Sequence, residues 1–252
     1  MMHFDTDRQT VVLCGAGHVS AALCTVLQPL GWQIIVIDDR EGLLTRERFP
    51  VADHLIFDSF ENLSSYDFPA ESYYVTMTHS HELDFSCLAV ILSRSFGYVG
   101  MLGSQKKAAK AFEKLRAQGF SEERLALVHT PIGLSIGAET PGEIAICIAA
   151  EMVQLYRTQP HDHIDVAIKS ALRDPRPKVL ASVIATEGIT SRQSGAMVTF
   201  ADGSFVGTVG GGSIEYEAIR KSVALLSSSG DSFEATLSNH VDGKMTLRFE
   251  RK

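Results

Sequence analysis

The sequence is poor in cysteine and tryptophan and has no long apolar run. Its 252 residues include four cysteines, at positions 14, 24, 87 and 147, and one tryptophan. The cysteines lie in apolar or helical stretches without C-x-x-C spacing. We therefore expect buried thiols in a reducing compartment, and neither a disulfide framework nor a zinc site. No apolar run approaches about 18 residues, the length that a membrane-spanning helix needs.

Positive charge is also scarce. The chain has 23 Lys and Arg against 30 Asp and Glu, which gives a formal net charge of -7. No basic stretch appears, so the sequence argues against a nucleic-acid partner. The first ten residues, MMHFDTDRQT, contain no apolar signal segment, and we expect a soluble, cytoplasmic protein. The length and the 45% hydrophobic content predict one large domain or two smaller ones with an ample core.

What the sequence does contain is organised around the stretch from Val11 to Arg40. An apolar run ends at Gly15-Ala16-Gly17, a segment with helical periodicity follows, and a second apolar run ends in Asp38-Asp39. This order of strand, glycine turn, helix and strand with an acid at its tip is typical of the dinucleotide-binding βαβ unit. The alternative is a doubly wound fold whose loop binds nothing or binds a different ligand.

Each residue of this unit has an expected role. Gly15 permits the tight turn, and Gly17 lets the backbone amides up to His18 approach a phosphate at the helix N-terminus. Asp38, 23 residues after Gly15, is expected to accept hydrogen bonds from ribose hydroxyls. Ser20 replaces the third glycine of the motif and is small enough for close packing of the helix on the strand.

Further strands and a second glycine junction follow. Gly103 and Ser104 begin another helix, where an anion could bind with help from Lys106 or Lys107; the alternative is a solvated helix start. His79, His81 and Asp84 suggest a metal site, but histidines at i and i+2 do not share a helix face, so we expect a polar loop at the end of a strand. The predicted strands of this region are Asp53–Phe57, Tyr73–Met77, Tyr98–Leu102 and Leu125–Val128.

The run from Ile132 to Glu151 predicts a helix with a complete capping box. Thr140 is the N-cap, Pro141 the first helical residue, and Glu143 stands three residues after the cap. The helix is apolar nearly all round, which predicts that it is buried. Glu139, just ahead of the cap, is expected to face a cleft; the alternative is that it only favours the helix end.

We expect a domain boundary near residue 158, with one domain over 1–158 and a second over 159–252. Two loops of the second domain carry chemical interest, one from Glu187 to Arg192 and one containing Gly210, Gly211, Gly212 and Glu215. Together they predict a site for a polar, anionic small molecule, although three consecutive glycines are also compatible with a purely structural turn. The predicted strands are Val179–Thr186, Ala196–Phe200, Ser204–Val209, Phe233–Leu237 and Met245–Glu250.

At this point the sequence resembles the XdhC/CoxI family, the accessory factors for xanthine dehydrogenase and related molybdenum hydroxylases. The combination of matching runs is specific and covers most of the chain. The runs are GAGHV (15–19), IDDR (37–40), YVGMLGS with the following lysines (98–107), PIGLSIGAETPGEIAICIAAE (131–151), ATEGITSRQSGA (185–196) and VGTVGGGSIE (206–215).

The resemblance implies an α/β fold, with a Rossmann-like doubly wound parallel sheet and a smaller mixed α+β CoxI-type domain. It implies binding of the molybdenum cofactor (molybdopterin), help with its sulfuration, and insertion into a partner hydroxylase such as xanthine dehydrogenase. It also extends the partners to a cysteine desulfurase and to a second copy in a homodimer. The site residues it suggests for the cofactor are those singled out above: Gly15, Gly17, His18, Asp38, Gly103, Ser104, Glu139, Glu187, Arg192, Gly210, Gly211, Gly212 and Glu215.

The sequence departs from the family pattern in two respects. The Rossmann-like domain comes first here, whereas members usually carry the CoxI-type domain first. A cysteine often found after the triple glycine is Ser213, and a glycine–cysteine motif is replaced by the segment from Ser238 to Gly243. If those thiols serve the cofactor in relatives, this chain binds it differently or not at all.

Two other classes of function remain open from the sequence. One is an NAD(P)-dependent oxidoreductase that holds the ribose with Asp38, against which stands the lack of a convincing catalytic pair such as Tyr-x-x-x-Lys. The other is a nucleotide-binding regulatory module without chemistry. The favoured prediction is a cofactor-binding insertion factor with no catalytic residue and no resident metal of its own, and not a stand-alone enzyme.

Overall fold

The computed structural model describes residues 4–158, 166–191, 193–239 and 242–252. The chain divides into two compact units, Met1–Pro160 and His161–Lys252. The first is built on a parallel sheet and the second on an antiparallel sheet. Each unit has hydrophobic clusters of its own.

Unit 1 contains a six-stranded sheet in the order β3-β2-β1-β4-β5-β6, with every pair parallel. Helices cover both faces of this sheet, and β1 and β2 are buried along their whole length. Buried parallel strands are near-continuous apolar runs, as the segments VVLC and IIVI are. The strands are β1 (Thr10–Cys14), β2 (Gln33–Asp38), β3 (His54–Phe57), β4 (Tyr73–Thr76), β5 (Tyr98–Met101) and β6 (Val128–His129).

Five α-helices lie within the described residues of unit 1. The first and the fifth pack against each other on one face of the sheet, and the second and third pack on the other. Ser20 is fully buried in the first helix, as its small size predicts. The helices are α1 (His18–Leu27), α2 (His81–Leu92), α3 (Gln105–Ala117), α4 (Glu122–Leu125) and α5 (Pro141–Thr158).

Two expectations for unit 1 were wrong. Leu125 ends helix α4 and β6 begins at Val128, because Ser121 caps a helical turn with its side chain and the strand starts only after it. Helix α5 is not buried all round, since Ile146 is 53% exposed. The capping box of α5 is confirmed: Glu143 N donates to Thr140 Oγ1 at 3.3 Å, and Thr140 N donates to Glu143 Oε2 at 2.9 Å.

Unit 2 contains a five-stranded antiparallel sheet in the order β10-β11-β7-β8-β9. The predicted hairpin at Ala201-Asp202-Gly203 is confirmed, with Gly203 at a positive φ of 81°. Helices α6 (Val166–Arg173) and α7 (Gly212–Leu226) pack on the sheet. The strands are β7 (Lys178–Glu187), β8 (Ala196–Phe200), β9 (Phe205–Thr208), β10 (Ser232–Ser238) and β11 (Lys244–Arg251). The α/β fold, with a Rossmann-like unit first, is therefore confirmed.

Candidate functional site

The two glycines of the first turn have different roles. Gly15 has a φ of 118°, and a Cβ at this position would collide with the carbonyl oxygen of Met77. Gly17 has an ordinary φ of -76° and nothing within 4 Å of the position that its Cβ would take. The fold thus requires glycine at position 15, whereas at position 17 glycine keeps an open space in front of α1.

Helix α1 begins without a side-chain cap. Gly17 is its N-cap residue, and Ala21 N donates the first helical hydrogen bond, to Gly17 O at 3.1 Å. The amides of His18, Val19 and Ser20 therefore have no helical acceptor, as is general for the first turn of a helix. Such amides, together with the positive end of the helix dipole, form an anion-binding position.

Asp38 holds this turn from the inside and does not face a ligand. Its side chain is fully buried, and its carboxylate accepts from Ala16 N at 2.6 Å, from Arg40 N at 2.9 Å and from the Arg40 guanidinium at 2.8 Å. Burial alone raises the pKa of Asp38, but the hydrogen bonds from Arg40 and Ala16 outweigh it and hold the pKa below its usual range. The expectation that Asp38 binds ribose hydroxyls is corrected, because both of its oxygens are occupied.

The neighbouring acid is the exposed one. Asp39 follows β2, and its Oδ1 lies 3.0 Å from Nε2 of His79, which follows β4. Both side chains are about one-third exposed, at 31% and 38%. Since β2 and β4 flank β1, this pair spans the carboxyl end of β1, the point of strand-order reversal at which open α/β sheets bind ligands. Of the two adjacent aspartates, the structure therefore leaves Asp39, and not the predicted Asp38, partly exposed at this edge.

The second glycine junction, at Gly103 and Ser104, uses part of its polar groups for hydrogen bonds within unit 1. Ser104 Oγ caps α3 by accepting from Lys107 N at 3.3 Å. The Lys107 ammonium donates to Leu102 O at 3.0 Å and pairs with the buried carboxylate of Asp84. Lys107 is therefore a structural residue, whereas Ser104 and Lys106 are exposed at the same edge.

A partly buried polar cluster around Glu151 was not predicted from the sequence. Glu151 Oε2 accepts from Tyr98 Oη at 2.6 Å and from Gly133 N at 3.0 Å, and Oε1 lies 3.3 Å from His129 Nδ1. Burial by itself raises the pKa of Glu151, but these hydrogen bonds hold it below its ordinary value. The signal in the sequence is a single acid within the apolar helix ICIAAEMV. The cluster joins β5, β6 and α5 and fixes the loop that starts at Gly133.

We expect Glu151→Leu to lower the free energy of unfolding of unit 1 by about 2 kcal/mol, because it leaves Tyr98 Oη and Gly133 N without an acceptor. Urea denaturation followed by Trp32 fluorescence measures this, since the single tryptophan is buried in unit 1. Glu82→Leu, at an exposed ion pair with Lys114, is the control and should stay within about 0.5 kcal/mol. Equal losses in the two variants would contradict the prediction.

The glycine turn of unit 2 is occupied by one of its own side chains. Gly210, Gly211 and Gly212 all have positive φ, at 129°, 76° and 64°. Glu215 Oε2 accepts from Val209 N and Gly211 N, each at 3.2 Å, and from the Thr208 hydroxyl. Two amides at this turn are therefore not free for a ligand: Gly211 N donates to Glu215, and Gly210 N donates to Thr208 Oγ1 at 3.0 Å.

The predicted site residues fall into two groups, one in each unit. In unit 1, Gly15, Gly17, His18, Gly103 and Ser104 lie at the carboxyl edge of the sheet. Glu139 is exposed in the loop before α5.

In unit 2, the register pairs Glu187 with Lys244 and Ala196 with Thr208. The loop after Glu187 and the glycine turn therefore leave the sheet at the same end, and Ser191 Oγ donates to Gly210 O at 2.6 Å. Arg192 lies outside the described residues.

Two kinds of structure do not occur among the described residues, a metal-binding cluster and a membrane-spanning helix. No group of three or more His, Cys, Asp or Glu side chains in the described ranges is arranged to hold a metal ion. Among the same residues, no helix combines the length and the hydropathy needed to cross a bilayer.

Comparison with known proteins identifies the family. A model described as the XdhC Rossmann domain matches residues 11–152, more than half of the chain, and a model of the XdhC and CoxI family matches residues 171–236. The chain is 34% identical to the uncharacterized protein YqeB of Escherichia coli (strain K12) over 155 residues, 61% of this chain and 28% of that protein. It is 31% identical to a probable xanthine dehydrogenase subunit of Bacillus subtilis (strain 168) over 145 residues, 57% of this chain and 42% of that protein.

Among solved structures, the chain resembles one described as a xanthine dehydrogenase from Bacillus halodurans. The TM-score is 0.55 and the identity 27%, and the match covers 64% of this chain and 46% of that one. This chain thus spans less than half the length of each of these three proteins. The two domain models together, with the Rossmann domain ahead of the CoxI-type domain, show that the chain belongs to the XdhC family.

Proposed function

We propose that this protein is an accessory factor for a molybdenum hydroxylase of the xanthine dehydrogenase type, and that it holds the molybdenum cofactor for insertion into that enzyme. Family membership supports the proposal, as do the names of the Bacillus relatives. The role in sulfuration and the partners, a hydroxylase and a cysteine desulfurase, are part of the same proposal.

The observation that carries the proposal is the open position over Gly17. Nothing lies within 4 Å of a Cβ at this residue, and α1 begins behind it with uncapped amides. A phosphate, or the phosphate of a nucleotide-like tail, fits such a position by size and charge. Gly103 and Ser104 start a second helix at the same edge of the sheet, after β5, which is separated from β1 by β4, and we assign them to the same ligand.

The residues present fit one end of the cofactor better than the other. The amides at Gly17 and His18 suit its phosphate, while the chain offers no exposed thiol for molybdenum, since all four cysteines are buried. Bound cofactor supplies the molybdenum chemistry of the client enzyme; this chain binds and orients it. The sulfur for its maturation then comes from a partner and not from a cysteine of this sequence.

The loops of unit 2 form a second proposed binding position for the cofactor. Glu187, Arg192 and the glycine turn from Gly210 to Gly212 are assigned to the ligand. Glu215 is assigned to the control of the turn, because its carboxylate already accepts two amides there.

Substitution of Gly17 by Asp tests the proposal. An Asp N-cap favours the start of a helix by about 1 kcal/mol, and the extended ψ of -173° at Gly17 suits it. The variant should therefore fold at least as well as the wild type. The new carboxylate fills the position proposed for the phosphate and repels its negative charge, so we expect the cofactor to bind at least tenfold more weakly. Anaerobic equilibrium dialysis against molybdenum cofactor released from a purified molybdenum enzyme measures the affinity.

The matched control is Gly142→Asp, in the first turn of α5, where a Cβ also meets nothing within 4 Å. It adds the same charge at another helix start and should leave cofactor binding unchanged. Absence of wild-type binding at micromolar cofactor, or equal binding by the Gly17 variant, would contradict the proposal.

The Asp39–His79 pair favours a nucleotide as the second candidate ligand. The partly exposed carboxylate of Asp39 follows β2, and an acid after this strand binds the ribose hydroxyls in dinucleotide-binding folds. Dialysis against NAD+ and NADPH in place of the cofactor separates the two functions. Binding of a nicotinamide dinucleotide that Asp39→Ala weakens, without binding of the molybdenum cofactor, would favour an oxidoreductase or a nucleotide-binding regulatory module.

A further inference from the structure

The loop before α5 presents large apolar side chains to solvent. Ile136 is 67% exposed and Leu134 39% exposed, and Ile146 of α5 is 53% exposed. Leu134 N donates to Cys147 O at 3.2 Å, which sets the loop beside Ile146. Ile136 lines a cavity of about 340 Å³ together with Glu139 and Glu143, and Glu143 lies one turn before Ile146 on the same helix face. We call these three apolar residues and two acids the loop–α5 patch.

The patch is held rigidly at both ends. At its start, Gly133 N donates to Glu151 Oε2 at 3.0 Å. At its end, Glu139 N and Thr140 N both donate to Glu143 Oε2, at 2.8 and 2.9 Å. A preorganised loop loses little conformational entropy on binding, so its exposed apolar surface contributes more of its burial energy to affinity. Exposed apolar side chains in a fixed arrangement are typical of a protein interaction site.

The charges of the patch determine which partner fits it. Between Thr130 and Ala150 the only charged residues are Glu139 and Glu143. Hydrogen bonds from the Thr140 and Glu139 amides hold the pKa of Glu143 below its usual value, so this carboxylate stays ionised. In a two-fold interface centred on the patch, the same acids would face each other, which is unfavourable. A second copy is therefore a poor occupant, and a predicted homodimer would use another surface.

We propose that the loop–α5 patch docks a partner protein through a segment with apolar side chains flanked by Lys or Arg. The loop follows β6 and so lies at the carboxyl edge of the sheet, the edge that carries the Gly17 position. A protein bound there would therefore meet the same edge of the sheet as the ligand proposed for unit 1. The identification of this partner with the hydroxylase that receives the cofactor rests on the proposed function. The proposal that the patch is a docking surface does not depend on that function.

Two synthetic amphipathic helical peptides of equal length, one of Leu and Lys and one of Leu and Glu, are the probes. Isothermal titration of the full chain should show the Leu/Lys peptide binding at least tenfold more tightly. The Ile136→Ser/Ile146→Ser double variant should lose at least tenfold of that affinity, and Glu139→Lys should also weaken it. The control Leu127→Ser removes another exposed apolar side chain of unit 1, 45% exposed, and should bind as the wild type does.

Three outcomes would overturn the proposal: equal binding of the two peptides, equal loss in the control and in the double variant, or self-association by sedimentation velocity that Ile136→Ser abolishes. The last result would make a second copy the occupant. Every substituted side chain is solvent-exposed, so we expect the melting temperatures of all variants to equal that of the wild type. Equal melting temperatures exclude misfolding as the cause of weaker peptide binding. Failure of cofactor binding by the wild type leaves this test unaffected, so the two proposals fail separately.

Discussion

Gly15→Ala should destabilise unit 1 by about 3 kcal/mol, through the positive φ and the overpacking that the added Cβ imposes. At 118° the backbone of Gly15 lies outside the range of ordinary L-residues, and the new Cβ would run into the Met77 carbonyl at the end of β4. A loss of this size lowers the melting temperature by about 10 °C. Thermal unfolding followed by Trp32 fluorescence reports it for unit 1.

Gly17→Ala is the matched control for this prediction. It makes the same chemical change two residues away, at an ordinary φ of -76° and in open space. Because Gly17 is the N-cap of α1 and Ala is a poorer N-cap residue than Gly, this variant should lose no more than about 1 kcal/mol relative to the wild type. If the two variants unfold at the same temperature, the strain assigned to Gly15 is absent.

Asp38→Ala should have an effect of similar size, about 3 kcal/mol, because the buried Ala16 amide and the Arg40 amide lose their acceptor. Asp38→Asn keeps one acceptor oxygen and should cost less. Asp39→Ala, one residue further and partly exposed, should change the stability by no more than about 0.5 kcal/mol. Urea unfolding of the three variants at pH 7 gives the comparison. A larger loss for Asp39 than for Asp38 would reverse the roles assigned to the two acids.

The stabilisation by Asp38 should depend on pH. Its folded-state pKa is lowered, so the carboxylate stabilises the fold above its unfolded pKa of about 3.9. That contribution is lost as the pH falls through the lower, folded pKa. The stability gap between wild type and Asp38→Asn should therefore narrow below about pH 4. A gap that stays constant down to pH 3 would exclude a charged Asp38 as the source of stability.

Local rules predicted the parts of the site that depend on adjacent residues. The glycine turn with its strand–helix–strand context and the capping box of α5 are encoded within a few positions of one another, so spacing alone identifies them. The change of pattern near residue 158 predicted a second domain, and the family resemblance then assigned that domain to the CoxI type, in an order opposite to the one usual in the family. The α/β class followed from apolar runs that alternate with helical periodicity.

The sequence could not show which way particular side chains turn. Asp38 and Asp39 are adjacent acids, and only the packed sheet decides that the first is buried against the Ala16 amide. The pattern places Glu215 beside three glycines, but its return to the Val209 and Gly211 amides depends on the shape of the turn. In α5 the apolar run does not reveal that Ile146 faces solvent. These are tertiary contacts, which periodicity does not encode.

The carboxylate of Glu215 occupies the glycine turn of unit 2 in the absence of a ligand, because it accepts from the Val209 and Gly211 amides. These hydrogen bonds hold the turn in place without a ligand. An anion with a single pair of oxygens would make no more hydrogen bonds there than Glu215 does, so replacing Glu215 would give it no net binding energy. Only a ligand with more contacts than a carboxylate can make would win that competition. In the proposed cofactor site, Glu215 would therefore act as an internal competitor, and small anions that make fewer contacts than its carboxylate would not displace it.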